Sequence, residues 1–172
     1  LYVYQGEELG LPEVTDLPDE TRKDPIFART GGADRGRDGC RVPVPWSGAK
    51  PPFGFGPSGE PWLPQPEDWA ALTVERQASD PSSMLILYRD ALALRRKLPA
   101  LGDGQLAWIE AGQDLLAFQR EPGFMCVVNL GHKPAHVARE LLPEGAVVIL
   151  ASGPVDAGGE IPGATAAWYA QD

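Results

Sequence analysis

A long segment dense in proline and glycine, from residue 9 to about residue 68, sets the strongest limit on how this chain folds. More than half of the positions from 51 to 66 are Pro or Gly. Proline fixes φ and removes a backbone donor, so no long helix or central strand is expected here. Disordered segments are poor in aromatic residues. This one carries or borders Phe27, Trp46, Phe53, Phe55, Trp62 and Trp69, so we predict an ordered loop, and such loops are often functional.

Regular elements are predicted on either side of this loop. The apolar run Leu1–Tyr4 predicts a short buried strand. Residues 80–98 predict a helix because apolar side chains recur at helical spacing, with Asp80 as the N-cap and Pro99 as the stop. A lone strand and helix cannot bury both their faces by themselves. We therefore expect this chain, which begins at Leu1 and not at Met, to be a fragment of a larger fold.

The last third of the chain predicts a β-domain. Short apolar runs predict six strands, at residues 105–110, 115–120, 124–130, 136–141, 146–151 and 166–170, with turn signals at 121–123 and 143–145. Consecutive strands with no helix between them indicate a small antiparallel β-sandwich. The sequence thus predicts an α+β chain with two parts, residues 1–101 and residues 102–172.

Composition and charge exclude several functions. The net charge of -9 argues against binding nucleic acid through its phosphates, which requires clustered Lys and Arg. No apolar run approaches about 18 residues, so no membrane span is predicted. Cys40 and Cys126 form no CxxC pair, and His132 and His136 have no ligand grouping around them, so a zinc site is not expected. Two distant cysteines fit a reducing, cytoplasmic compartment without a disulfide.

Four motifs resemble one family, the α-amylase superfamily of glycoside hydrolases. Residues 4–10 (YQGEELG) look like the end of its eighth barrel strand, and 36–46 (GRDGCRVPVPW) resemble the following loop of α-glucosidases and oligo-1,6-glucosidases. Residues 80–101 are similar to the last barrel helix and its exit, and 161–168 to the last strand of the C-terminal β-domain. The resemblance implies that residues 1–101 are the last strand, last loop and last helix of a (β/α)8 barrel, followed by a small antiparallel β-sandwich.

The resemblance also implies an activity for a longer parent protein. The family's retaining α-glucosidases release terminal glucose from short α-linked sugars of the maltose or isomaltose type, and they use two carboxyl groups roughly 5 Å apart. The family carries these acids on earlier barrel strands, and none of those motifs occurs here. We therefore expect this chain to have no catalytic residue, no cofactor and no activity without the missing barrel. Glu7 and Glu8 are not expected to be a catalytic pair, since neighbours in an extended segment point to opposite faces. One of them is expected to pair with an Arg.

Arg37 and Arg41 are the candidate substrate-binding residues. By resemblance, Arg37 holds hydroxyls of the terminal glucose, because a guanidinium fork donates to several oxygens at once. The alternative is a structural salt bridge, for example with Asp38. Arg41 anchors the loop or touches a further sugar, and Asp38 is expected to support an arginine.

Structural and not catalytic or binding roles are expected for other conspicuous side chains. Tyr4 and Trp46 are expected to pack, Cys40 to be a small buried side chain, and His132 and His136 to lie at the surface or in hydrogen bonds.

Two alternatives to an α-glucosidase remain open. Trehalose synthase, sucrose isomerase and dextran glucosidase have similar loops. The β-domain is instead a carbohydrate-binding module if its aromatic residues form an exposed row, and a structural cap if they point inward. Those residues are Trp108, Phe118, Phe124, Trp168 and Tyr169.

Overall fold

The structure, a computed structural model, describes residues 1–56, 59, 61–156 and 159–171. Residues 57, 58 and 60 of the predicted loop, and 157, 158 and 172 of the predicted β-domain, lie outside the described residues. The chain divides into two compact units, Leu1–Tyr88 and Arg89–Asp172. The expected division into residues 1–101 and 102–172 refers to domains of a whole protein and stays a prediction.

The first unit is an ordered loop region with only short helical segments before residue 84. It contains helices α1 (Pro25–Arg29) and α2 (Val74–Gln77), and single turns of 3-10 helix at Glu7–Leu9, Asp19–Thr21, Asp38–Cys40 and Glu67–Ala71. Its buried apolar cluster consists of Val14, Leu17, Val42, Phe53, Leu63 and Trp69. Five of these, all except Trp69, come from the segment rich in proline and glycine. The prediction of an ordered loop without long helices is therefore confirmed for the described residues.

Buried polar contacts hold this loop together. The carbonyl of Phe53, a buried residue with φ of 44°, accepts hydrogen bonds from the backbone N–H groups of Trp46 (2.8 Å) and Ser47 (2.9 Å). The amide of Gln77 donates to the carbonyl of Leu9 (2.8 Å) and accepts from the backbone N–H of Leu85 (3.0 Å). Buried amide groups satisfied in this way fix the start of the loop against the start of the following helix.

The predicted strand at Leu1–Tyr4 is wrong for this structure. These residues have no strand pairing within the described ranges, and Tyr2 is fully exposed. A β-strand needs a neighbouring strand to satisfy its backbone N–H and C=O groups, and the described part of the first unit supplies none. High β-propensity without a partner therefore leaves this segment unpaired within the described residues.

The predicted long helix is confirmed, with a later start. Helix α3 runs over Met84–Lys97 and ends before Pro99. Asp80 does not cap it: its carboxylate accepts from the backbone and hydroxyl of Ser82 (2.9 and 2.7 Å) and closes the preceding turn. The hydroxyl of Ser83 accepts from the N–H of Ile86 instead (3.3 Å). None of the helical residues is buried, so the apolar stripe of α3 is incompletely covered by the described chain.

The second unit contains the predicted β-domain, and every pairing is antiparallel. A five-stranded sheet has the order β1-β2-β3-β7-β5 and a second sheet has the order β4-β6. The strands are β1 (Leu106–Ile109), β2 (Leu115–Arg120), β3 (Phe124–Asn129), β4 (Ala135–His136), β5 (Val147–Ala151), β6 (Glu160–Ile161) and β7 (Thr165–Ala170). The turn signal at 121–123 joins β2 to β3, with Gly123 at φ of 63°.

Two strand predictions need correction. Residues 136–141 do not form one strand: β4 ends at His136 and Arg139–Leu141 is a 3-10 turn. The strand β6 was not predicted, because it has only two residues before Pro162 and shows no alternation. Strands this short depend on a partner, and β4 and β6 pair with each other.

The five-stranded sheet has an apolar layer on each face. On one face, Met125, Val127, Ala167 and Tyr169 pack with Ile161 of β6 and with residues 137–142. On the other face, Phe124, Cys126 and Ala170 pack with Ala100 and Leu101 of the 3-10 turn Pro99–Leu101. Alternating side chains of the same strands supply both layers, as expected for a sheet covered on two sides.

Candidate functional site

The loop from residue 22 to residue 41 is organised around a buried carboxylate, that of Asp38. Its side chain has no exposed surface. One oxygen, Oδ2, accepts hydrogen bonds from the backbone N–H groups of Lys23 (2.7 Å) and Asp24 (2.8 Å). The other, Oδ1, accepts from Nη2 of Arg41 (2.8 Å). A buried charge is tolerated only when it is paired and hydrogen-bonded, and Asp38 meets both conditions.

A second carboxylate, that of Asp24, continues the network. Its Oδ1 caps α1 by accepting from the backbone N–H of Ile26 (3.1 Å). Its Oδ2 accepts from the backbone N–H of Arg37 (3.0 Å) and from Nη2 of Arg41 (2.9 Å). These backbone bonds, with that from Arg37 foremost, hold the pKa of Asp24 below its usual value of 3.8. Asp24 is therefore charged at neutral pH and ties α1 to the segment that contains both candidate arginines.

Glycine at position 36 makes this close approach possible. Gly36 has φ of 64°, a left-handed conformation that L side chains rarely adopt. A Cβ atom there would lie only 2.6 Å from Cγ of Asp24. The backbone can reach the carboxylate only because residue 36 has no side chain.

The structure places Arg41 as an anchor of the loop. Its Nη2 contacts the carboxylates of Asp24 and Asp38, and its Nε donates to the carbonyl of Arg37 (3.2 Å). Asp38 supports an arginine, as predicted, and that arginine is Arg41. Contact between Arg41 and a sugar stays a prediction.

Arg37 has different surroundings. Its side chain is exposed, and its guanidinium makes no hydrogen bond or ion pair in the described part of the chain. The alternative of a salt bridge to Asp38 is wrong, because the donors to Asp38 are Arg41 and two backbone N–H groups. Contact between Arg37 and glucose stays a prediction.

Sequence reasoning missed Arg22 and Asp24. Arg22 is buried and donates to the carbonyls of Leu17 (3.0 Å), Thr15 (3.2 Å) and Arg35 (3.3 Å). Its guanidinium carbon lies 5.6 Å from the ring centre of Phe27. For Asp24 a signal did exist: Asp followed by Pro is a common start of a helix, but the helix here is only five residues long.

Glu7 and Glu8 serve the backbone. They lie in a 3-10 turn and not in an extended segment. The carboxylate of Glu7 accepts from the N–H of Tyr4 (3.1 Å), and that of Glu8 from the N–H of Gly6 (2.9 Å). The predicted pairing of one of them with an Arg is wrong, since local backbone donors satisfy both.

Several aromatic side chains are more exposed than predicted. Trp46 is 51% exposed and Tyr4 47%, so packing does not cover either of them within the described chain. Phe55 and Trp62 are also exposed, whereas Phe53 and Trp69 belong to the core. The exposed rings provide flat apolar surface of the kind that packs on a sugar ring.

Cysteine and histidine residues occupy ordinary places. Cys40 is half-buried and its thiol donates to the carbonyl of Arg37 (3.2 Å), whereas Cys126 is buried; both are free thiols. His136 lies 3.3 Å from a carboxylate oxygen of Glu160, and His132 is exposed, as the surface interpretation predicted. The described residues contain no group of three or more potential metal ligands. Among them, no helix has both the length and the apolar character needed to cross a membrane.

The β-domain aromatics form a packed chain on one face of the five-stranded sheet. The ring centres of Trp108 and Phe118 are 5.8 Å apart, those of Phe118 and Phe124 6.4 Å, and those of Phe124 and Trp168 5.5 Å. The first and third pairs are edge to face and the second is tilted, and aromatic contacts at such distances stabilise a core. Phe124 is buried and Trp108 is 66% exposed, so the four rings are not an exposed flat row.

Comparison with known proteins connects this geometry to one family. The family model described as the catalytic domain of alpha amylase matches residues 1–104. A "Probable alpha-glucosidase" of Rhizobium meliloti (strain 1021) is 38% identical over 136 residues, which are 77% of this chain and 24% of that protein. A "Probable oligo-1,6-glucosidase 2" of Bacillus subtilis (strain 168) is 30% identical over 120 residues, 60% of this chain and 21% of that protein.

Solved structures agree with the fold. The crystal structure of XgtA, an alpha-glucosyl transfer enzyme, matches with a TM-score of 0.79 and 35% identity, covering 99% of this chain and 32% of that one. The trehalulose synthase MutB from Pseudomonas mesoacidophila MX-45 has a TM-score of 0.75 at 24% identity, covering 96% of this chain and 34% of that one. The chain spans about a quarter of the length of the curated relatives it matches.

Proposed function

Because this chain belongs to the alpha-amylase family of glycoside hydrolases, we propose that it is part of a retaining α-glucosidase that releases terminal α-linked glucose from short oligosaccharides. The observation that carries this proposal is the 38% identity over 136 residues to a probable alpha-glucosidase. The chain covers only 24% of that protein, which leaves ample length for a catalytic barrel. Maltose and isomaltose are the substrates to test first.

In this proposal residues 1–101 are the end of a (β/α)8 barrel. Two features of the first unit and α3 support it: Leu1–Tyr4 is apolar and unpaired, and α3 has no buried residue. Both features are expected when the partner surface belongs to another part of the fold. Barrel enzymes build their sites from the loops at the carboxyl ends of the strands, and the Gln5–Asp68 segment is then the last of these loops.

Arg37 and Arg41 have different roles in the proposed site. Arg37 contacts hydroxyls of the terminal glucose, since its guanidinium is exposed and no carboxylate in the described chain pairs with it. Arg41 binds substrate only secondarily, because two carboxylates already occupy its Nη2. The catalytic acids lie outside this chain, which has no cofactor and no activity on its own. Two free thiols suit the cytoplasmic location included in this proposal.

The experiment compares this chain with the product of the complete gene. We expect the complete product to hydrolyse maltose, isomaltose or an aryl α-glucoside, and residues 1–172 alone to show no turnover. Retention is checked by NMR, which detects α-glucose as the first product. Turnover by the 172-residue chain would contradict the assignment of the chemistry to another part of the protein.

Glucosyl transfer is a second candidate function. It is favoured by the 35% identity and the TM-score of 0.79 to XgtA, an alpha-glucosyl transfer enzyme. Transfer and hydrolysis differ in whether a sugar or water attacks the glycosyl intermediate. Incubating the complete gene product with maltose and an added alcohol or sugar acceptor separates the two. Two glucose molecules released per maltose consumed support hydrolysis, whereas one glucose and one new glucoside per maltose consumed support transfer.

A carbohydrate-binding role for the β-domain is the less favoured alternative. Four of its aromatic rings pack against one another, two pairs edge to face and the Phe118–Phe124 pair tilted, and only Trp108 is mostly exposed among them. This arrangement suits a structural cap. Calorimetry on the complete protein and on its Trp108→Ala variant tests this. Maltose binding that the Trp108→Ala substitution abolishes would favour a sugar-binding role for residues 102–172.

A further inference from the structure

One carboxylate, that of Asp24, reaches both candidate arginines from 13 and 17 positions earlier in the chain. We infer that Asp24 is a positioning residue for Arg37: it fixes the backbone from which the substrate-binding guanidinium projects. This inference rests on the proposed function of Arg37. It adds a residue that lies outside the 36–46 motif.

The backbone of Arg37 is held on both sides. Its N–H donates to Oδ2 of Asp24 at 3.0 Å. Its carbonyl accepts from Nε of Arg41 (3.2 Å), and from the backbone N–H (3.3 Å) and thiol (3.2 Å) of Cys40. An exposed arginine side chain has many rotamers, so a fixed origin is the main way in which the fold can direct it.

The charges around Arg37 also support this role. Asp24 and Asp38 share one guanidinium, that of Arg41, so the cluster contains two negative charges and one positive charge. Arg37 forms no ion pair with either carboxylate, yet its positive charge lies close enough to Asp24 to favour the ionised carboxylate. The guanidinium of Arg37 is thus held near a net negative cluster while its N–H donors stay available for sugar hydroxyls.

The backbone around Arg37 allows this contact with Asp24. At Gly36 the backbone passes close to Asp24: a Cβ atom added to this glycine would lie only 2.6 Å from Asp24 Cγ. Asp34 accepts from the N–H of Gly36 (2.9 Å) and supports the same turn. Asp24 itself is held by the N-cap bond to Ile26, so neither partner of the Asp24–Arg37 contact is free to move away.

The test is a double-mutant cycle in the complete gene product, with maltose as the substrate. The variants are Asp24→Asn, Arg37→Ala and their combination. We expect Asp24→Asn to raise KM about tenfold, the change that corresponds to losing one hydrogen bond to a charged group, with a smaller fall in kcat. In the Arg37→Ala background the same substitution is expected to change KM by less than about twofold, because coupled residues are not additive.

Two further variants separate positioning from folding. Asp24→Ser keeps a side-chain oxygen for the helix cap but removes the one that holds Arg37, so it should raise KM as Asp24→Asn does. Asp80→Asn removes a comparable carboxylate that bonds only to Ser82, and it should leave KM and kcat unchanged. Melting temperatures are recorded for every variant.

The outcomes are distinguishable. An unchanged KM in Arg37→Ala would refute the proposed function of Arg37 itself. If Arg37→Ala raises KM but Asp24→Asn has the same effect in both backgrounds, the role of Asp24 is structural and the inference is overturned. Wild-type kinetics in Asp24→Ser would show that only the helix cap matters, and failure of both Asp24 variants to fold would also overturn it.

Discussion

At the scale of single residues, the structure of the loop from residue 22 to residue 41 depends on carboxylates whose hydrogen-bond partners are mostly backbone N–H groups. Asp38 and Asp24 together accept hydrogen bonds from Lys23, Asp24, Ile26 and Arg37. At Asp24 these bonds favour the ionised carboxylate and lower its pKa. The stability of the loop should therefore depend on pH.

The pKa of Asp24 predicts the direction of that dependence. Its folded pKa lies below 3.8, so the carboxylate stabilises the fold at pH values above 3.8, and this contribution is lost as the pH falls through the folded pKa. We expect Asp24→Asn to be less stable than the wild type at pH 7, with the difference shrinking below pH 3.8. Chemical denaturation at a series of pH values measures it. A difference that stays constant down to pH 2 would contradict the assignment.

At the scale of elements, the turn at residues 36–41 depends on the missing side chain of Gly36. We expect Gly36→Ala to destabilise the chain much more than Gly31→Ala, although both glycines are left-handed, with φ of 64° and 61°. The left-handed backbone costs an alanine about 1–2 kcal/mol at either site. Only at position 36 does the new Cβ also meet Asp24, whereas at position 31 nothing lies within 4 Å. Equal losses in urea denaturation would show that the turn can relax.

A second prediction at this scale concerns the exit from α3. Arg120 of β2 donates to the carbonyls of Ala100 (2.7 Å), Gly102 (2.9 Å) and Gly104 (2.6 Å). Hydrogen bonds to a charged group contribute about 1.5–3 kcal/mol, so Arg120→Met should destabilise the second unit by about that amount. Arg139→Met, which removes an exposed arginine of the same unit, is the control. Thermal unfolding measures both, and equal melting temperatures would count against the contact.

The elements also show which features sequence patterns can predict. Helix α3 and strands β2, β3 and β5 were predictable because α3 has apolar residues at helical spacing and each strand is a mostly apolar run of five or more residues. Leu1–Tyr4 has strand propensity but no partner, and the two-residue strands β4 and β6 have a partner but no pattern. The pairing of two strands depends on residues that are far apart in the sequence, and the periodicity within one segment does not predict it.

Sequence patterns likewise predicted only part of the candidate site. The motif at 36–46 singled out Arg37, Arg41 and Asp38, and the pairing of Asp38 with an arginine was expected. That the arginine is Arg41, and that Asp24 is its second partner, depends on a contact across 17 positions that spacing alone does not determine.

At the scale of the whole molecule, each unit contains one cysteine and can be followed separately. Burial raises the pKa of the Cys126 thiol to about 11, whereas Cys40 is half-buried. The thiolate is the reactive form, so at pH 8 we expect an aromatic disulfide reagent to label Cys40 in the folded protein and Cys126 only after the second unit unfolds. Mass spectrometry of the labelled peptides measures this. Labelling of Cys126 as fast as of Cys40 would show that the sheet opens readily.

The buried carboxylate of Asp38 has a consequence for how such proteins diversify. The contacts that keep the loop folded are concentrated at its centre, while Trp46, Phe55 and Trp62 stand at the surface and contribute little to the core. Exchanging those rings for other side chains leaves the internal hydrogen bonds intact. A descendant of this chain can therefore acquire new ligands by changing its periphery, without passing through intermediates that fail to fold.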